Sequence, residues 1–132
     1  MLVATAVTTG LLTPIITYSD QSKAVQRLTP FEVLSDTSSI SQIKQAISEV
    51  AIKYGLNEAG FARLILCESS FNHNQYGDHG LAYGLLQFHE ATFERYCDGD
   101  YHNIKDQLVC GAKMIKNGEG SNWSCIYKYL SN

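Results

Sequence analysis

No basic stripe runs through this chain. Ten Lys and Arg stand against 13 Asp and Glu, a formal charge of −3 with neutral histidines. The basic residues are scattered, and only Lys113, Lys116 and Lys128 fall near one another late in the sequence. A nucleic-acid partner is therefore not expected, because counterion release needs a concentrated positive surface. Metal-binding patterns are missing as well. No Cys-x-x-Cys occurs, and the nearest cysteines, Cys97 and Cys110, are too far apart for half of a zinc knuckle. His73, His79, His89 and His102 match no ligand spacing with a mechanism behind it, so loop and surface imidazoles are expected and no metal. No glycine-rich phosphate loop follows a strand, and Gly118-Glu119-Gly120 reads as a helix stop. No cofactor is implied.

A long apolar run is also lacking. Residues 1–17 carry no charged side chain, but the stretch is short and threonine-rich for a membrane span. It has the apolar character of a secretory signal without the basic start. A leader, a short anchor and an apolar leader strand all remain open readings. Residues 18–38 are polar and mixed, with Pro30 and the cluster Ser35-Asp36-Thr37-Ser38, and read as a linker. The chain thus divides into a leader and linker over 1–38 and one domain over 39–132. Few contacts between the segment before Ile40 and the core are expected.

What is present is helical. Ile40, Ile43, Ile47, Val50 and Tyr54 recur at helical spacing, with Ser38 or Ser39 placed to cap the start and Gly55 to stop it. A second helix begins at the cap Asn57 and runs through Phe61, Leu64 and Ile65 to about Ser69. Residues 71–83 are rich in Asn, Gly and Asp and form an irregular loop or a short hairpin. A short helix over Glu90–Tyr96, another from Asn103 to Asn117 and a last one from Trp123 to Leu130 complete the pattern. Hydrophobic residues make up 45%, enough for a single core at this length.

The four cysteines, Cys67, Cys97, Cys110 and Cys125, are an even number in a small chain. Two disulfides and an oxidising compartment follow. Three pairings are open to four cysteines. Cys67 with Cys110 and Cys97 with Cys125 is the pairing expected, because the first two lie on helices that should pack together. A thiol nucleophile at Cys67 would need a histidine, and none lies near it in sequence.

Glu68 is the residue of most chemical interest. It sits in the last turn of an apolar helix, where poor solvation disfavours its charged form and the negative end of the helix dipole acts in the same direction. A carboxyl that keeps its proton near neutral pH is what a general acid requires. Two motifs flank the intervening loop: Glu68-Ser69-Ser70-Phe71-Asn72, and Gly84-Leu85-Leu86-Gln87-Phe88.

Together these motifs resemble the lysozyme-like lytic transglycosylases, over approximately residues 60–125 and most closely over 67–96. The family pattern has Met where Leu86 stands, a volume-conserving exchange. The resemblance implies a mainly α fold of the α+β lysozyme-like kind, a small helical domain with a short loop or β element at the cleft. It implies a substrate too, the β-1,4-linked glycan strand of peptidoglycan, with Glu68 as the single acid/base. Gln87, Tyr83, Ser70 and Phe88 become candidate substrate-binding residues. The family's Ala-Tyr-Asn triplet near the C-terminus is missing, and Trp123, Tyr127 and Tyr129 occupy that region, Trp123 and Tyr127 being candidates for an aromatic platform.

Asp78, the only acidic residue between Glu68 and Glu90, is the candidate second carboxylate that a hydrolase would need. Without one, the substrate's own N-acetyl group assists and the product is a 1,6-anhydro sugar, which is the outcome the resemblance favours. A lysozyme-type hydrolase is the alternative within the class. A peptidoglycan-binding or assembly module is the alternative outside it. A monomer acting outside the cytoplasm is expected, of host or phage origin.

Overall fold

The computed structural model describes Gly10 and residues 27–131. Apart from Gly10, the leader or anchor reading of residues 1–17 lies outside the described residues.

Helix α1 spans Ile40–Tyr54 and is closed at both ends by local chemistry. The Ser39 hydroxyl accepts from the Gln42 N–H at 3.3 Å, and the Gln42 side chain accepts from the Ser39 N–H at 2.8 Å. That reciprocal arrangement satisfies two otherwise orphaned donors. At the far end Gly55 turns left-handed at φ 70°. Ile43, Ala46, Ile47, Val50 and Ala51 form the buried stripe. Helix α2 spans Glu58–Ser69, capped by the Asn57 side chain on the Gly60 N–H at 2.6 Å. It packs Phe61, Leu64 and Ile65 into the same core.

Between α2 and the next helix the chain forms a three-stranded antiparallel sheet. Its strands are β1 (Tyr76–Gly77), β2 (Ala82–Tyr83) and β3 (Phe88–His89), in the order β1-β2-β3. Tyr76 faces Tyr83, Tyr83 faces Phe88, and Ala82 faces His89. Helices α3 (Glu90–Tyr96), α4 (Ile104–Lys116) and α5 (Ile126–Leu130) follow. The molecule is mainly helical with a small antiparallel sheet, as expected.

The last helix starts three residues later than its spacing predicts. Gly120–Asn122 make a single 3₁₀ turn, and Trp123 is extended at φ −107°, ψ 130°. In that conformation its indole N–H donates to the Leu86 carbonyl at 2.7 Å, and its ring meets Phe88 edge-on with centroids 5.3 Å apart. Anchoring the Leu85-Leu86 turn takes precedence over continuing a helix.

Two further expectations are corrected. Of the segment before Ile40, residues 27–39 are described, and they are docked. Leu34 is buried in the core, the Phe31 N–H donates to the Glu49 carboxylate at 2.8 Å, and Lys105 donates to the Glu32 carbonyl at 2.7 Å. Leu34 supplies the apolar contact that a polar linker reading overlooked. The cysteines also pair differently, as Cys67–Cys125 and Cys97–Cys110, with Cα separations of 6.1 and 5.4 Å. The expected pairing assumed that α2 packs on α4. Instead α2 lies against α1 and α5, while α4 lies against α1 and α3. Cys67 therefore meets the start of α5, and Cys110 meets the end of α3.

Leu86 seats in a gap over α4 that exists because residue 111 is glycine. A Cβ at Gly111 would run into the Leu86 Cδ1 atom. Gly111→Ala is expected to destabilise the fold by about 1–3 kcal/mol through overpacking, measured by the denaturation midpoint. Glycine's own helical penalty acts in the opposite direction and is smaller.

Candidate active site

Helix α2 carries Glu68 to the edge of a cleft of about 380 Å³. The Leu64 and Ile65 side chains of the same helix are fully buried, which sinks its last turn into the core and leaves Glu68 half-buried. Burial raises the Glu68 pKa above its ordinary value of 4.5. A hydrogen bond from the Cys125 N–H to Oε1, at 3.2 Å, works the other way by favouring the carboxylate. Burial is the larger effect, so the acid form persists to higher pH.

The helix stops abruptly after Glu68. Ser69 is buried with its hydroxyl donating to the Ile65 carbonyl at 3.2 Å, and Ser70 and Phe71 are left-handed at φ 54° and 63°. This turn sends the chain into the sheet that walls the cleft. Gly84 takes φ 83°, and a side chain there would collide with the buried Gln107 amide. Gln87 is itself left-handed at φ 49°. Its amide donates to the Gln75 carbonyl at 3.0 Å and to the Gly84 carbonyl at 2.9 Å, which ties the turn to the start of β1. Gln87 thus shapes the wall through its nitrogen.

Asp78, also left-handed at φ 47°, lies 3.0 Å through Oδ2 from Nε2 of His89. Both residues line the cleft with Glu68, Gln87, Asn122 and Trp123. One carboxyl is half-buried on a helix end, and a second, half-exposed one is paired with an imidazole in the same cavity.

Of the residues singled out in the sequence, Glu68, Gln87 and Asp78 are brought together. Phe88 lies in the core beneath Trp123 and Phe93 and borders a smaller depression beside the cleft. Tyr83 is buried and does not line the Glu68 cleft; its hydroxyl donates to the Asn74 side chain at 3.3 Å and burial raises its pKa. Ser70 is exposed at the helix end, outside the cleft lining, and Tyr127 is exposed and outside it too. Trp123 is both core anchor and cleft wall. His89 and Asn122 are the lining residues that spacing alone passed over. His89 becomes readable only once Ala82 is known to face it across the sheet.

A half-buried acid at the end of a core helix, facing a polar cleft walled by a short antiparallel sheet, defines a small lysozyme-like α+β domain. The family model of the Transglycosylase SLT domain matches residues 45–119, more than half of the chain, and the chain belongs to that family. Proteins of this family act on peptidoglycan. No curated protein and no solved structure matches the chain.

Proposed function

We propose that this protein cleaves the β-1,4 bond between MurNAc and GlcNAc without consuming water. The observation that carries this reading is the half-buried Glu68 on the wall of the cleft, its pKa raised by burial. Glu68 donates its proton to the bridging oxygen as the C1–O bond breaks, and the substrate's 2-acetamido oxygen stabilises the developing positive charge at C1. The Glu68 carboxylate then takes the proton of the C6 hydroxyl while O6 bonds to C1. The products are a 1,6-anhydroMurNAc end and a free GlcNAc hydroxyl, with Glu68 protonated again.

The reaction takes place outside the cytoplasm. Two disulfides and the peptidoglycan substrate of the family support that placement. Among the described residues, no helix is long and apolar enough to cross a membrane. Mass spectrometry of muropeptides released from purified sacculi tests the reading: anhydro ends are expected, and reducing MurNAc ends would replace it with hydrolysis.

One observation favours hydrolysis as the second reading, namely Asp78 in the same cleft and paired with His89. In that mechanism Asp78 would take a proton from the attacking water. Asp78→Asn separates the two. Under the anhydro mechanism the variant should stay within about tenfold of wild type, well short of the 10²–10⁴ lost with a general acid or base. A larger loss in the release rate, in a protein making reducing ends, would assign Asp78 to the water.

A further inference from the structure

The two disulfides sit in different surroundings. In the shorter one, Cys110 is buried in the core and Cys97 is partly covered. In the longer one, Cys67 is exposed, next to an exposed Leu66, and Cys125 is partly covered. A dissolved thiol can therefore reach Cys67, whereas the core shields Cys110.

The exposed bridge is also the one beside the acid. Cys67 precedes Glu68 in the chain, and the Cys125 N–H donates to Glu68 Oε1 at 3.2 Å. One covalent link thus fixes both the residue before Glu68 and the donor that holds its carboxyl.

The chain around Cys125 is held on either side without the bridge. Before it, the Trp123 indole donates to the Leu86 carbonyl. After it, Arg63 donates through Nε to the Lys128 carbonyl at 2.9 Å and through Nη2 to the Ser131 carbonyl. The Tyr129 hydroxyl accepts from the Asn57 N–H at 3.3 Å, and the absence of a side chain at Gly60 gives the Tyr129 carbonyl room against α2. Opening the bridge therefore frees residues 124–126 and leaves α5 on α2. A local opening of this kind costs far less than global unfolding.

We infer that the Cys67–Cys125 bridge is a reversible redox switch, opened by a dithiol reductant outside the cytoplasm, that turns Glu68 down without unfolding the domain. The inference rests on Glu68 being the acid proposed above. A thiolate of the reductant attacks Sγ of Cys67, and the S–S electron pair leaves with Sγ of Cys125. The second thiol of the reductant then displaces Sγ of Cys67 from the mixed disulfide. The protein gains two electrons and two protons as a pair of thiols, and the reductant departs as a disulfide. With the bridge open, the Cys125 N–H is no longer fixed against Oε1, and the carboxyl loses the contact that aims it.

Titration of the full-length protein with dithiothreitol, at rising ratios of its reduced to its oxidised form, tests this. Open thiols are alkylated in samples from each step and located by peptide mass spectrometry. Cys67 and Cys125 should be labelled at lower ratios than Cys97 and Cys110. Where only the first pair is open, muropeptide release from sacculi should fall about tenfold, the lower end of what a hydrogen bond to a charged group is worth. The far-ultraviolet circular dichroism should stay that of the oxidised protein, and reoxidation should restore the rate. The double variant Cys67→Ser, Cys125→Ser should show the lowered rate at every ratio.

An unchanged rate with the first pair open would overturn the switch. So would labelling of all four cysteines together, or loss of the fold along with the rate. Failure of the underlying reading looks different: the oxidised protein would release no muropeptides, or Glu68→Gln would release them at the wild-type rate.

Discussion

Glu68→Gln is expected to lower muropeptide release about 10²–10⁴-fold, the range lost when a positioned general acid is removed. Glutamine keeps the shape and can still accept from the Cys125 N–H, but it has no proton to give the bridging oxygen. Binding of glycan should survive, which separates a lost acid from a collapsed cleft. Release that persists at the wild-type rate would remove Glu68 from the mechanism.

The same substitution carries a pH signature. Burial raises the Glu68 pKa in the folded protein above 4.5. Its contribution to stability is therefore complete below that value and is lost as pH rises through the raised one. Glu68→Gln should match wild type in thermal midpoint under acid conditions and exceed it at neutral pH. The wild-type rate should fall on the alkaline side as the proton is lost. A rate that rises through that window would mean that the carboxylate, and not the acid, starts the reaction.

Removal of the Cys67–Cys125 bridge, as the Cys67→Ala, Cys125→Ala double variant, should have the largest effect on stability. The bridge joins residues 58 apart, whereas Cys97–Cys110 spans 13. Loop-closure entropy sets the first at about 4 kcal/mol and the second at about 3 kcal/mol. Denaturant titrations of the two double variants compare them directly. The longer bridge has a second consequence, because it ties the residue before Glu68 to the residue whose N–H contacts Glu68. Its loss should reduce activity beyond what the unfolded fraction explains, whereas loss of the shorter bridge should not. Equal activity per folded molecule in both variants would leave the bridge a purely structural role.

Helix positions were readable because their ends are written in side-chain chemistry. Ser39 with Gln42, Asn57, Gly55 and Asn103 each act within one turn, and each lies where spacing places it. Glu68 was readable for the same reason, since its environment follows from the apolar face of its own helix. The sheet was harder. Strands of two residues have no period to detect, and their register depends on a left-handed turn at Gly84 and Gln87. His89, Asp78 and Asn122 share one cavity although they come from three separate segments, so no local pattern joins them. The cysteine pairing depended on which helices touch. Trp123 fits a helical spacing, yet its indole bond to Leu86 holds it extended.

Among the described residues, five other than glycine take left-handed backbone angles, and all five lie between α2 and α3: Ser70, Phe71, Asp78, His79 and Gln87. Each such residue costs about 1–2 kcal/mol relative to a relaxed conformation. Two of them, Asp78 and Gln87, line the candidate cleft, so part of its wall holds strained backbone that the packed helices on either side support. A variant that relaxed those two angles should gain robustness and lose the shape of the cleft, so durability and the proposed cleavage pull in opposite directions.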